Sequence, residues 1–424
     1  MLRAFLNAFK VPDLRAKILF TVFIIGVYRF GSWVPVPVVD TDIIRNQQAT
    51  DQGFLSFINL FSGGGLTRFA VFSLGIMPYI TSSIIMQLLT VVIPKLQQWQ
   101  EQGEPGVKKI NQWTRIVTVV LALLQSTGLV FLFNSGQEFP SVFPEGTFTP
   151  FNVALIVLTM TAGTALIMWL GELITQRGVG NGMSILIFAS VISTLPFEGS
   201  AILRTGGVGL LIALGLLGVA IIVAVVFIDQ GQRRIPIQFA RRVVGRKMTS
   251  GGSTYLPLKV NQAGVIPIIF ATSVMYFPVL LASVISAEWF QNFVNNYVNN
   301  PQSIVYMAIL ASLIVFFAYF YTAIQFDPVR QADNLRKQGG FIPGIRPGPP
   351  TADYLNAILV RITLPGSLFL AAIALVPSVV LAYWAVGTFP FGGTTILITV
   401  GVALETMKQI ESQLMMRHYE GFLK

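Results

Sequence analysis

The spacing of charged residues constrains this chain more than any other feature of its sequence. Apolar runs without Asp, Glu, Lys or Arg recur along its length, and six of them enclose 20 to 28 residues. They lie between Arg68 and Lys95, Arg115 and Glu138, Glu145 and Glu172, Arg177 and Glu198, Arg204 and Asp229, and Lys259 and Glu288. About 20 helical residues cross a hydrocarbon core of about 30 Å. The chain is therefore predicted to be an all-α polytopic membrane protein.

Composition supports this prediction and excludes several kinds of site. Charged residues make up 11% of the 424 residues, whereas a soluble chain carries about 25%. Because the chain has no cysteine, it has no disulfide, no thiolate nucleophile and no Cys-based metal site. Its one histidine, His418, lies close to the last residue. No cofactor is expected, and the protein is not expected to be an enzyme.

The apolar runs divide into ten predicted transmembrane helices. A run of 43 uncharged residues between Arg361 and Glu405 is long enough for two of them, split at a turn over 387–393 that contains Pro390. The first eight are predicted at 18–36, 76–93, 113–133, 151–173, 183–195, 208–228, 264–285 and 304–326.

The basic residues support an even number of spans. If both termini are cytoplasmic, 24 of the 28 Lys and Arg residues fall on the cytoplasmic side. The other four are Arg29, Arg45, Arg68 and Arg204. An excess of basic residues in cytoplasmic loops orients membrane proteins, and a missed helix would destroy the pattern. We expect Arg29, which lies inside the first span, to extend toward the interface or to pair with an acid.

The second and seventh spans begin alike, with Gly75-Ile76-Met77-Pro78 and Gly264-Val265-Ile266-Pro267. Each is the second span of a set of five, and because five is odd, the two sets have opposite orientations in the membrane. The sequence thus predicts two inverted halves, 1–206 and 207–424, an arrangement that is common in transporters and channels. Proline is also well suited to any first helical turn, so the match is open to that simpler interpretation.

A glycine-rich stretch, 54–74, precedes the second span on the predicted outer side. It is apolar, but Gly63, Gly64 and Gly65 interrupt it and it carries Arg68. Irregular backbone is tolerated at membrane depth only inside protein or beside a water-filled cavity. The stretch is either an interfacial re-entrant loop or a short helix that occupies a pore from outside.

Two predicted cytoplasmic loops are long and basic. Segment 232–262 has seven basic residues and no acid, and its alternation and turn residues predict a hairpin. Segment 326–350 is rich in proline. Both loops fit either an enlarged topology signal beside anionic lipid or a docking surface for a large anionic partner such as RNA phosphate or an acidic motor protein.

Several motifs resemble the bacterial SecY family, the channel subunits of the Sec protein translocon. They occur in the family's order, from LGIMPYITSSIIMQLL at 74–89 to MRHYEGFL at 416–423. Between them lie WLGELITQRGVGNGMSILIFA at 169–189, GQRRIPIQFARR at 231–242, STYLPLKVNQAGVIPIIFA at 253–271 and GGFIPGIRPG at 339–348. The resemblance implies ten helices in two inverted halves, in agreement with the count above.

The resemblance also implies a pore ring and a plug. The ring positions are Ile80, Ile84, Met183, Ile187, Ile269 and Ile398. The family ring is usually rich in isoleucine, so Met183 would make it softer. The plug is expected at 62–72, a range that we call the plug segment. Its assigned residues are Ser62, Gly63, Gly64, Gly65, Leu66, Thr67, Arg68, Phe69 and Phe72.

A lateral gate toward lipid is implied between the second and seventh helices, with the third and eighth behind them. Its residues would be Ile85, Gln87, Leu88, Thr272, Ser273 and Tyr276. The two long loops would dock the ribosome and the SecA motor ATPase, through Arg241, Arg242, Arg246, Lys247 and Arg346. The family often has arginine at position 247, and lysine loses its bidentate geometry.

The resemblance implies a gated channel that carries unfolded polypeptides across the bacterial plasma membrane and releases membrane helices sideways into the bilayer. SecE and SecG are the expected accessory subunits, and signal sequences and unfolded precursors are the expected cargo. An inverted-repeat secondary transporter is the alternative. It usually needs carboxylates within the membrane, and no predicted span has one near its middle.

Overall fold

The computed structural model describes residues 11–39, 59–134, 147–239, 253–284, 287–298, 302–384 and 393–421, the single residues 9 and 300, and two short strands at 243–244 and 247–248. Helices dominate the described residues. They are α1 (Pro12–Gly31), α2 (Met77–Val92), α3 (Pro94–Glu101), α4 (Glu104–Asn134), α5 (Pro150–Arg177), α6 (Gly182–Gln230), α7 (Ile266–Val284), α8 (Glu288–Phe293), α9 (Ile304–Gln325), α10 (Pro328–Lys337), α11 (Pro349–Trp384) and α12 (Gly393–Gly421).

Five helical segments among the described residues are long and apolar enough to cross a membrane. They are Glu104–Asn134, Pro150–Arg177, Gly207–Gln230, Ile304–Lys337 and Pro349–Val380. The pair α2 and α3, bent by 99°, makes a sixth if it is counted as one span. The apolar segments Gly182–Pro196 and Ile266–Met275 are shorter than a hydrocarbon core requires. The fold is thus a bundle of apolar helices, and the number ten stays a prediction.

The first helix is displaced from its predicted position at 18–36. Helix α1 begins at Pro12, so that a proline lies in its first turn, and it ends at Gly31. Proline suits the first helical turn because its missing N–H would have no helical partner there. The chain continues toward Pro35, and the residue before a proline is disfavoured in the α conformation. The residues after α1 are therefore available for pairing with the plug segment.

The fifth and sixth predicted spans form one long helix, α6, with a break inside it. Gly207 lies at the break with φ 70° and ψ −178°, a conformation that residues with a side chain rarely adopt. The helix continues through Pro196, where the sequence predicts a loop. Helical residues up to the break at Gly207 thus replace most of the predicted connection, and the break itself agrees with the expected start of the sixth span.

The helices α2 and α7 begin with the same local geometry. Gly75 has φ 56° and Gly264 has φ 62°, and each lies two residues before the first residue of its helix. Each helix has proline as its second residue, where a missing N–H costs nothing. A Cβ on Gly75 would lie 2.6 Å from the carbonyl oxygen of Phe61, so this glycine is required by space as well as by φ.

The hairpin predicted in the first basic loop is confirmed. Strand β1 (Gln232–Phe239) pairs antiparallel with β4 (Ser253–Lys259), and the short strands β2 (Val243–Val244) and β3 (Lys247–Met248) pair between them. Strand β5 (Gly340–Phe341), from the second basic loop, pairs with the other edge of β1. Ile235 and Ile237 are buried beneath this sheet. The two loops therefore form one structured unit.

The helices that frame the candidate site pack as neighbours. Helix α4 contacts both α2 and α5, and α9 contacts both α7 and α11. Helix α12 packs against α6, and α1 packs against α5 and α6. Helix α7 also contacts α2 and α4. The two helices predicted to form the lateral gate are therefore adjacent.

Candidate functional site

The six residues predicted for the pore ring share one apolar environment. They belong to, or pack directly against, a single hydrophobic cluster. Five are buried, with 2% to 9% of each residue exposed, and Ile269 is half-buried. Ile80 and Ile84 come from α2, Met183 and Ile187 from α6, Ile269 from α7 and Ile398 from α12. The structure brings four helices together at these positions, and their lining of a pore stays a prediction.

Two glycines allow α5 and α6 to approach beside this cluster. A Cβ on Gly182 would overlap the carbonyl oxygen of Gly171, so no larger residue permits this distance between the two backbones. A Cβ on Gly171 would lie 2.5 Å from Sδ of Met183. The thioether of Met183 therefore lies against the backbone of α5, where a flexible, unbranched side chain fits well.

The plug segment is compact and largely buried. It begins at Ser62, the last residue of a helical stretch at 59–62, and contains a short 3₁₀ turn, Leu66–Arg68. Internal hydrogen bonds hold it together, including Ala70 N to Gly65 O at 2.9 Å and Thr67 Oγ1 to Gly64 O at 2.8 Å. Phe69, buried, has φ 43°, an unusual value for a residue with a side chain. The described part of the glycine-rich stretch, 59–74, is therefore folded within protein, and its place in a pore stays a prediction.

The residues after α1 hold the plug segment through the backbone. Val36 N donates to Phe69 O at 2.8 Å, and Val71 N donates to Val34 O at 2.9 Å. These two bonds flank an antiparallel bridge between Pro35 and Ala70. These bonds are possible because α1 ends at Gly31: had the helix continued to residue 36, as the sequence predicts, the N–H group of Val36 would be bonded within it.

Side chains near the end of α1 reach the same segment. Arg29 donates from Nη1 to the carbonyl oxygen of Gly63 at 2.7 Å. The guanidinium of Arg68 lies 3.6 Å from the ring centroid of Trp33, close enough for a cation–π contact. The Tyr28 hydroxyl is 2.6 Å from Ser190 Oγ and donates to Phe61 O at 3.4 Å. The partner of Arg29 is thus a backbone carbonyl, not the interface or acid that the sequence predicts.

The sequence does not identify Tyr28, Ser190 or the pairing of 34–36 with 69–71. The available signal is a pair of polar residues, Tyr28 and Arg29, inside an apolar span. A pattern of this kind shows that a partner is needed but does not show which distant segment supplies it.

The predicted gate residues lie on adjacent helices. Ile85, Gln87 and Leu88 on α2 are half-buried, as is Thr272 on α7, while Ser273 is buried. The hydroxyls of Thr272 and Ser273 donate to carbonyl oxygens of their own helix, those of Ile268 and Ile269. These two hydroxyls therefore donate within α7 and not to α2. The side chain of Tyr276 lies outside the described part of the structure.

Most of the predicted docking residues lie outside the described residues. Arg241, Arg242 and Arg246 are among them, and Lys247 is described only as part of the backbone of β3. Arg346 is exposed beyond β5, and its carbonyl oxygen accepts a hydrogen bond from Thr351 Oγ1 at 2.8 Å. This bond fixes the backbone at Arg346 and leaves its guanidinium open to a partner.

This arrangement has the chemistry of a closed constriction. An apolar cluster from several helices lies near a compact segment that short contacts hold in place. Small apolar constrictions resist the flow of water and ions by dewetting. The plug segment is also packed against α4 and α5, where Phe69 meets Phe133 edge to face. That the cluster and this segment close a path for ions stays a prediction.

Comparison with known proteins identifies the family. A family model described as SecY matches residues 70–407. The protein translocase subunit SecY of Mycobacterium tuberculosis is 50% identical over 444 aligned residues, and its counterpart in Streptomyces coelicolor is 52% identical over 444. Both alignments cover 100% of this chain and 100% of the relative.

Solved structures agree on the fold. The structure described as that of a protein conducting channel superposes with a TM-score of 0.65 at 16% identity and covers 95% of each chain. Sec61 in the canine ribosome-channel complex gives 0.61 at 15% identity, again with 95% of each chain covered. Because the relatives match from end to end at half identity and the fold agrees, this multi-pass membrane protein belongs to the SecY family.

Proposed function

We propose that this chain is the protein-conducting channel subunit of a bacterial translocase. It carries unfolded polypeptides across the plasma membrane and releases membrane helices laterally into the bilayer. The observation that carries this proposal is the similarity, over the full length of both chains, to proteins named protein translocase subunit SecY. The closed constriction described above supports it.

In the resting state, the ring and the plug segment together block the path. The ring offers apolar side chains from α2, α6, α7 and α12, which seal around an extended chain without a polar group to hold it. An opening wide enough for a polypeptide requires the plug segment to move. Its internal hydrogen bonds survive such a movement, whereas its bonds to Arg29 and to residues 34–36 and its apolar packing against α4 and α5 do not.

The lateral gate lies between α2 and α7. These helices are in contact, yet the hydroxyls of Thr272 and Ser273 donate within α7. The gate helices can therefore separate without leaving those two polar groups unpaired. A signal sequence that binds between them stabilises the open state, since a ligand shifts a population by its differential affinity.

The energy for transport comes from partners. The sequence contains no GxxxxGK[ST] nucleotide motif, so ATP hydrolysis by SecA or elongation by the ribosome must drive the chain forward. The sheet that joins the two basic loops presents a rigid surface for these partners, with Arg346 exposed beside it. SecE and SecG complete the complex, and the channel itself has no catalytic activity.

The proposed topology has both termini in the cytoplasm and two inverted halves, 1–206 and 207–424. The matching starts of α2 and α7, with a positive-φ glycine two residues before each helix, support this division. The break at Gly207 lies at the proposed boundary between the halves.

A secondary transporter is less consistent with these observations. Inverted-repeat transporters place ionisable groups or a small-molecule site at broken helices near the membrane centre. Glu172, near the end of α5, is bound to Arg115 at 2.6 Å, and no predicted span has a carboxylate near its middle.

Photo-crosslinking from the ring tests the proposed function. A photoreactive amino acid at Ile84 should form an adduct with a precursor that is stalled in the channel by a folded C-terminal domain. The experiment uses the chain with its co-purifying subunits, SecA and ATP. The adduct should require both ATP and a functional signal sequence.

The matched control places the same amino acid at Leu124 on α4, where 65% of the residue is exposed. It should give no adduct under the same conditions. Adducts that form equally at Leu124, or that ignore the signal sequence, would contradict a path through the ring. No adduct at Ile84, Ile187 or Ile269 with SecA bound would contradict conduction itself.

A further inference from the structure

The plug segment is held by contacts of two kinds. The first kind is internal, such as Ala70 N to Gly65 O at 2.9 Å, and persists when the segment moves as a body. The second kind is external and must break before the segment leaves. Two of the external contacts are backbone bonds to Val34 and Val36, which no side-chain substitution removes directly.

The bond from Arg29 is the external contact with the best-defined geometry among the side chains. Its 2.7 Å length is typical of a strong hydrogen bond from a charged donor. Gly63 has φ 63°, and a Cβ there would lie 2.6 Å from Arg29 Nη1 and 3.2 Å from Cα of Ser190. Glycine at this position is thus required by conformation and by the space that the guanidinium and α6 occupy.

We propose that Arg29 is the positioning residue that keeps the plug segment closed, by binding the carbonyl oxygen of Gly63. The neighbouring Tyr28 supports this contact, because its buried hydroxyl joins Ser190 of α6 to the residue that precedes the segment, Phe61. One turn of α1 thereby connects the first helix, the start of the segment and α6. This role in gating rests on the proposed function, whereas the contact itself does not.

Thiol labelling measures the release of the segment directly. Because the chain has no cysteine, Ser62→Cys gives a single reporter at a fully buried position. The reagent is a water-soluble maleimide, applied to membranes that contain the whole complex and have been opened by freeze–thaw so that both faces are reached. The assay requires no precursor, ATP or SecA.

Arg29→Met should raise the labelling rate at position 62 about tenfold or more, since a lost hydrogen bond to a charged group changes an equilibrium by that order. Arg29→Lys retains a cationic donor and should restore much of the protection. Arg204→Met, which removes an exposed arginine of α6 remote from these contacts, should change nothing.

A second reporter separates local release from general loosening. Ser367→Cys on α11 is buried to 1% exposure, and its labelling should not respond to Arg29→Met. If Arg29→Met leaves labelling at 62 unchanged, or raises it equally at 367, the proposal is wrong. If Arg29→Met does not accumulate, Arg29→Gln carries the same test, because its shorter, neutral amide removes the charged donor and leaves Gly63 unchanged. The two proposals can fail separately. If Arg29→Met speeds labelling at position 62 but the parent complex transports no precursor, the proposed function is wrong and the role of Arg29 in holding the plug segment stands.

Discussion

At the scale of single residues, glycines set how closely the backbones around the candidate site approach one another. Gly171 and Gly182 allow α5 and α6 to meet beside the ring, and Gly75 accommodates the carbonyl of Phe61. Gly163 on α5 has the same role for the plug segment, since a Cβ there would overlap the carbonyl oxygen of Val71. At Gly75, Gly163 and Gly182 the nearest atoms belong to the backbone, which cannot yield as a flexible side chain can, so these three positions tolerate no added methyl group without a shift.

Gly163→Ala should therefore destabilise the protein, despite the better helix propensity of alanine. Overpacking of this kind costs about 1–3 kcal/mol. Gly199 on α6 is the matched control, since no atom lies within 4 Å of the position that an added methyl group would occupy; there, Gly199→Ala should be neutral or stabilising by about 0.5–1 kcal/mol. The measurement is the thermal unfolding midpoint of the purified protein in detergent. Equal midpoints for both variants would contradict the close contact of α5 with the plug segment.

At the scale of elements, a charge pair joins α3, which follows the gate helix α2, to α10, which follows α9. Arg330 on α10 binds Glu101 at the end of α3 at 2.7 Å and Asp327 at 3.1 Å. Asp327 also caps α10, accepting from the backbone N–H groups of Val329 and Arg330. The cap is predictable from the sequence, because aspartate before a helix is a common N-cap. The contact with Glu101, 229 residues away, is not.

Reversal of one charge in this pair should loosen the two helix ends. Glu101→Arg places like charges together. Exposed ion pairs contribute about 0.2–1 kcal/mol, so the fraction of molecules in which the ends of α3 and α10 are separated should rise by a factor of roughly 1.4 to 5. The double variant with Arg330→Glu should restore the parent distribution. Spin labels at Gln100→Cys and Asp333→Cys, read by pulsed electron paramagnetic resonance, report the distance between the two ends.

The control for this experiment is Glu104→Arg. Glu104 pairs with Lys108 at 2.9 Å inside α4, so its reversal changes the same local charge without touching α10. A distance distribution that broadens equally for Glu104→Arg and Glu101→Arg, or that the double variant does not restore, would show that this pair does not join the two ends.

At the scale of the whole molecule, the apolar cluster joins helices from both proposed halves. Ile84 and Ile187 belong to the first half, and Ile269 and Ile398 to the second. No single helix pair forms this region, so its seal depends on how the two sets of helices meet. Among the described residues, the backbone hydrogen bonds of the plug segment, in contrast, join it to the first half.

Combined Ile84→Gly and Ile187→Gly substitutions should make the channel leak ions, because they remove two apolar side chains from the ring. The expected result is a clear rise in resting conductance in planar bilayers. Val92→Gly with Ile212→Gly, at exposed positions on α2 and α6, is the matched control and should leave conductance unchanged. Unchanged conductance in the ring variant would exclude these two residues from the seal.

The sequence alone determined the class of this protein, since uncharged runs long enough to span a bilayer leave few alternatives to apolar helices. It also determined the hairpin in the first basic loop, whose alternation and turn residues are local signals. Tertiary structure decided the end of α1 at Gly31, the pairing of Val34 and Val36 with the plug segment, and the partner of Arg29. The physical reason is range: helix formation follows from hydropathy over neighbouring residues, whereas a buried donor selects its acceptor from whatever distant backbone the packed helices place beside it.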